Sequence, residues 1–197
     1  RFLGKENSID LMTVGGEKIK SKYINSQYIF KNNIFNKVYQ IFLSIFKNEP
    51  LQVGLYNIPK MKDEIKKKCN NYDVIIFHLI RTASYLPAEF KGKKILEMTD
   101  LISKNYQTTL ESLSFLNPLY LIYKIEKKLL IKYEEKIFNK FDKIVLVNDK
   151  DIYKSKVKAK FRKKIEIIGN GSHIKKNIFL KNKFKKSIIF FGNINSL

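Results

Sequence analysis

The stretch that most constrains the fold runs from Phe141 to Gly171, FDKIVLVNDKDIYKSKVKAKFRKKIEIIGNG. Ile144 to Val147 is a short β-branched apolar run, the pattern of a buried strand. Asn148, Asp149 and Asp151 follow, residue types that accept from the free N–H groups of a helix's first turn. A basic helical segment comes next, then a second apolar run, Ile165 to Ile168, closed by the turn-forming pair Asn170-Gly171. Strand, helix and strand with short joints predict a βαβ unit, hence a parallel sheet covered by helices.

Upstream segments extend that sheet. Ile9 to Val14 reads as a strand ended by Gly15-Gly16. Asp73 to His78 (DVIIFH) is apolar without alternation, which fits an interior parallel strand. Lys93 to Met98 is another strand. Pro50 begins a stretch read as extended, Leu51 to Tyr56, and Pro59 opens a helix to about Cys69. Leu119 to Phe141 carries an apolar stripe (Ile122, Ile125, Leu129, Tyr133, Ile137 and Phe141) beside a Lys/Glu face, the pattern of a long helix on a sheet. Ile34 to Phe46 has the same periodicity. It is expected to pack on the sheet, the alternative being a helix lying on a membrane surface. Lys18 to Asn33 shows no period. Because the chain opens at Arg1 with a helix-like tail before Ile9, an earlier strand is expected to be absent from it. The fold expected is therefore α/β, a Rossmann-like parallel sheet with helices on both faces. Residues 1–174 form one domain, and 175–197 a connector and the first strand of a second.

The formal net charge is +21. Arg1, Arg81 and Arg162 are the only arginines, and lysines are spread over every segment. Phosphate recognition favours arginine's planar fork, so the excess fits codon bias better than a polyanionic partner, whether nucleic acid or an anionic membrane surface. No nucleic-acid-binding motif, P-loop or serine-hydrolase elbow is present. A basic module gripping an anionic membrane or nucleic acid is the competing class. The single cysteine, Cys69, fits a reducing compartment.

Ligands of open α/β sheets bind beyond the carboxyl ends of the strands. There stand His78, Arg81, Thr82 and Tyr85 after one strand, and Thr99, Asp100 and Ser103 after the next. Histidine and Asp100 each have a structural alternative, as a packed residue and as a helix cap. Asp149-x-Asp151 has the spacing of a metal–diphosphate motif, but its place at a helix start favours capping.

DVIIFHLIRTASY, ILEMTDLISKNY, KYEEKIFNKFDKIVLVNDKD, IEIIGNG and IIFFGNI, in that order, resemble the N-terminal half of a bacterial family 4 glycosyltransferase of the GT-B fold. The most similar type is the sugar transferase of capsule, O-antigen and exopolysaccharide pathways. Ser172-His173 stand where the family often has Val-Asp, and the family's early Gly-rich loop and C-terminal Glu-x7-Glu region have no counterpart in this chain. The resemblance implies transfer of a sugar from a nucleotide-sugar donor to a glycan or lipid-linked acceptor in the cytoplasm, at the inner face of the membrane. It implies no metal or other cofactor, and no activity from this segment alone. By the same resemblance His78, Arg81 and Asp100 are catalytic, Gly192 and Asn193 meet the donor, and Tyr85 and Ser103 meet the acceptor.

Overall fold

The structure, a computed structural model, describes residues 6–148 and 160–169. Two parallel sheets carry the chain. The smaller pairs β1 (Asp10–Val14) with β2 (Ser26–Phe30). The larger has the order β3 (Val74–His78), β4 (Lys93–Met98), β5 (Lys143–Leu146) and β6 (Ile165–Ile167), every pair parallel. The helices flanking these sheets are α1 (Ile34–Phe46), α2 (Leu51–Leu55), α3 (Pro59–Lys68), α4 (Ile102–Ser112) and α5 (Pro118–Lys140). The α/β reading of the sequence thus holds for the sheet of β3 to β6. Ile9–Val14 lies outside that hydrogen-bonded sheet. The expected helix between β5 and β6, Asp149, Asp151, the Asn170-Gly171 turn, and all of 175–197, including Gly192 and Asn193, fall outside the described residues.

The core sits where α5 crosses β4 and β5. Leu96, Met98, Ile144 and Leu146 from the strands are fully buried against Leu130, Phe138 and Phe141. Phe77 and Phe141 meet edge to face at 5.7 Å, and Phe138 meets Phe161 in the same way at 5.6 Å. Each fully buried side chain of this size contributes ~1.5–3 kcal/mol by leaving water. Asn117 caps α5 by accepting from Leu119 N at 2.9 Å, and Pro118 occupies the first turn, where its missing N–H has no cost.

The two sheets run in the same sense. Tyr72, just before β3, donates its hydroxyl to Asp10 Oδ2 at the start of β1, at 2.5 Å. At the other end Val14 and Gly15 line a cavity with Tyr56, and Arg81, just past β3, stacks on the same Tyr56. Between β1 and β3 lies a groove of about 230 Å³ lined by Leu11, Met12, Val74, Ile76 and the inner face of α3.

Three expectations are corrected. Leu51–Leu55 is helical, because Pro50 precedes the first turn rather than starting a strand. The segment without a period contains β2, whose Ser26 and Gln27 hide its strand pattern. Above all, the aromatic stripe of α1 does not pack on the sheet. Its buried residues are Gln40 and Ser44. Gly54 of α2 lies so close that a Cβ there would stand 2.4 Å from Ser44 Oγ, so this contact requires glycine.

Candidate functional site

The carboxyl ends of β3 and β4 bring together what the sequence separates. His78 pairs with Glu97 in the strand register, and its Nδ1 hydrogen-bonds the Glu97 carboxylate. The imidazole is mostly exposed. Glu97 was not singled out from sequence, although a carboxylate between the apolar Leu96 and Met98 was a usable signal. In the neutral tautomer whose Nδ1–H donates to Glu97, Nε2 carries the free lone pair.

The next residue is strained. Leu79 adopts φ 66° and ψ 149°, a region that side-chain-bearing residues rarely enter. Leu79 N donates to Glu97 O at 2.7 Å, and the turn beyond is pinned by Thr82 Oγ1 donating to His78 O at 2.8 Å. This kink ends β3 abruptly and turns the chain into the 3-10 segment Ile80–Tyr85. Nothing in the sequence marks it.

Arg81 stands in that segment with its guanidinium 4.4 Å above the Tyr56 ring. Its Nε is buried without a hydrogen-bond partner, and among the described residues Arg81 forms no ion pair. A stacked guanidinium without a carboxylate is an uncompensated positive charge with its donor fork available. Tyr56 is placed by a polar knot: Asn32 Nδ2 donates to Leu55 O at 2.9 Å and Asn36 Nδ2 to Asn57 O at 2.9 Å. Beside it opens a cavity of about 460 Å³, lined by Val14, Gly15, Lys31, Asn32, Lys37, Leu55 and Tyr56. Gly15 has φ 69° and Gly16 φ 87°, so glycine is needed to turn the chain out of β1 at this edge. Lys31, Lys37 and Arg81 make the edge positive.

Asp100 follows β4 and accepts from Asn105 Nδ2 at 2.7 Å. It does not cap α4. That helix is capped from outside: Glu134, 1% exposed on α5, accepts from Ser103 N at 3.0 Å and from Ser103 Oγ at 2.6 Å. Ser103 is therefore corrected from an acceptor-side residue to a buried anchor. Tyr85 is corrected likewise. It is fully buried, its hydroxyl donates to Tyr56 O and accepts from Ile58 N at 3.1 Å, and burial pushes its pKa up to about 12. Both hydroxyls are engaged within the fold.

A second buried carboxyl serves α2. Glu126 accepts from Leu51 N at 3.0 Å and Gln52 N at 3.3 Å. Burial raises its pKa, against the opposing pull of those two N–H groups. Among the described residues no group of three or more His, Cys, Asp or Glu side chains is arranged to hold a metal ion. No described helix is long and apolar enough to cross a membrane.

No family model matches the chain, and neither the curated proteins nor the solved structures offer a match.

Proposed function

We propose that the protein is the acceptor-side half of a glycosyltransferase, acting on a nucleotide-sugar donor and a glycan or lipid-linked acceptor in cell-surface polysaccharide synthesis. The observation that carries this reading is the clustering at one sheet edge of a carboxylate-oriented histidine and an arginine that has no acidic partner among the described residues. Sugar transfer needs a base for the acceptor hydroxyl and positive charge for the departing diphosphate.

That clustering supports the following assignment of roles. His78 Nε2 takes the proton as the acceptor oxygen attacks the anomeric carbon. Glu97 holds the ring through Nδ1 and stabilises the imidazolium that forms. The bond from the anomeric carbon to the diphosphate oxygen breaks, and the nucleoside diphosphate leaves with that electron pair. Arg81 meets the developing negative charge. The free carboxylate edge of Asp100 accepts from a sugar hydroxyl. Gly192 and Asn193 belong to the donor side only by the resemblance.

The strand order supports the same architecture. Read across the groove, the sheets run β2, β1, groove, β3, β4, β5, β6. In open parallel sheets of this kind the ligand site lies beyond the carboxyl ends of the strands, the edge where His78 and Arg81 stand. The reading is tested by incubating the product of the complete open reading frame with a panel of uridine- and guanosine-diphosphate sugars and a bacterial lipid extract. Labelled sugar should appear in the lipid or glycan fraction. Absence of transfer from every donor would remove the assignment.

A further inference from the structure

The outer face of α1 is built the wrong way round for a helix packed in a globular protein. Phe35 is 83% exposed, Phe46 70%, Tyr39 59% and Phe42 57%. Ile34, Val38 and Ile45 share this exposure. At 100° per residue these side chains cover one arc of about 140°. The inward face is polar and fixed. Ser44 Oγ donates to Gln40 O at 3.0 Å, Asn57 Nδ2 donates to Gln40 Oε1 at 2.8 Å, and Gly54 leaves no room between the helices. The helix cannot roll to bury its rings without breaking these contacts. A continuous aromatic face on a protein surface marks an interaction site.

We infer that this face docks on an anionic lipid bilayer, α1 lying in the plane of the interface with Phe35, Tyr39, Phe42 and Phe46 among the headgroups. Charge selects this occupant over a second copy of the chain. Each molecule carries +21, so two copies repel while an anionic leaflet attracts. Lys31 precedes the helix, Lys37 flanks the stripe and exposed Lys47 ends it, so basic residues border the aromatic face in sequence. Phe35, Phe42 and Phe46 offer apolar rings to the acyl boundary, and Tyr39 adds a ring whose hydroxyl can stay at the headgroup level. The inference rests on α1 alone and stands whether or not the protein transfers sugar.

The chain contains no tryptophan, so Phe42→Trp gives a single reporter on this face. Its emission should shift to the blue with vesicles of phosphatidylglycerol and phosphatidylethanolamine, and much less with phosphatidylcholine alone. In co-sedimentation with the anionic vesicles, Phe35→Gln, Phe42→Gln and Phe46→Gln combined should weaken binding at least tenfold, or ~1.4 kcal/mol. Circular dichroism should remain that of the native chain, because the rings are exposed. An unshifted reporter, or undiminished binding by the triple variant, overturns the inference. So does a wild-type dimer in sedimentation equilibrium that the triple variant abolishes, since the face then belongs to a second copy.

Discussion

Replacing Glu134 with alanine should be among the most damaging single changes to the fold, although this is a charged residue on a Lys/Glu-rich helix. Its carboxyl is 1% exposed and satisfies two donors of Ser103, one main-chain and one hydroxyl. Those donors sit in the first turn of α4, whose Leu101 cap has no side-chain hydrogen bond of its own. A buried donor stripped of its acceptor costs ~1–3 kcal/mol. The main-chain N–H has no freedom to turn, so it takes the upper part of that range. The hydroxyl can rotate toward a helix carbonyl and takes the lower part. With ~1 kcal/mol for the lost side-chain packing, the total is roughly 3–5 kcal/mol. For a chain of this size that lowers the thermal midpoint by roughly 6–20 °C. Urea unfolding followed by circular dichroism measures it. The neighbouring Glu135 provides the control: it pairs with Lys160 at 3.4 Å on the surface, so Glu135→Ala should change stability by less than ~1 kcal/mol. Glu134→Gln, which retains one acceptor oxygen, should fall between the two. If Glu134→Ala and Glu135→Ala were equally mild, the external cap would carry no weight in α4.

Two further outcomes follow from strain and burial. Leu79→Gly should be more stable than Leu79→Ala by ~1 kcal/mol in urea unfolding, because both lose the side chain but only glycine relieves the positive φ; the ordinary order, alanine above glycine, would show that the kink stores no strain. The Glu126 carboxyl is held above its ordinary value of 4.5, so the native state binds that proton more tightly than the unfolded chain does. Its contribution to stability is therefore greatest below that value and diminishes as pH rises through the raised one, and the stability difference between wild type and Glu126→Gln should move in that sense as pH rises from below 4.5.

How far the sequence revealed this molecule depends on which interaction decides each element. The larger sheet was legible because its strands read as short apolar runs, as in DVIIFH and KIVL, but the interior place expected for Asp73–His78 is corrected: β3 is the edge strand of its hydrogen-bonded sheet, with Val74 and Ile76 exposed. The extent of α1 was legible for a similar reason, since periodicity reports a stripe. Periodicity does not report what the stripe faces, and here Gly54 and Asn57 claim the polar side instead. His78, Arg81 and Asp100 were found by position after a strand, and the structure places them at one edge. Tyr85 and Ser103 were found by the same rule and turn inward, because their hydroxyls meet Tyr56 O and Ile58 N in one case and Glu134 in the other. Tyr56, Lys31 and Lys37 reach the site from segments with no strand pattern to flag them. Only tertiary contact places those side chains, and local sequence is silent on it.

The central claim is that the carboxyl edge of β3 and β4 handles a sugar donor's phosphates through Arg81, which has no carboxylate partner among the described residues. Arg81→Ala in the complete open reading frame, assayed for transfer from a nucleotide sugar with the thermal midpoint measured on the same preparation, tests it most directly. The stack on Tyr56 is worth ~1 kcal/mol, so the midpoint should fall by no more than about 4 °C. Transfer should fall at least a hundredfold, or ~2.7 kcal/mol, the loss of one charge-assisted contact to the leaving group. Undiminished transfer, or a collapse of stability that accounts for the lost activity, would contradict the account and make Arg81 a structural residue.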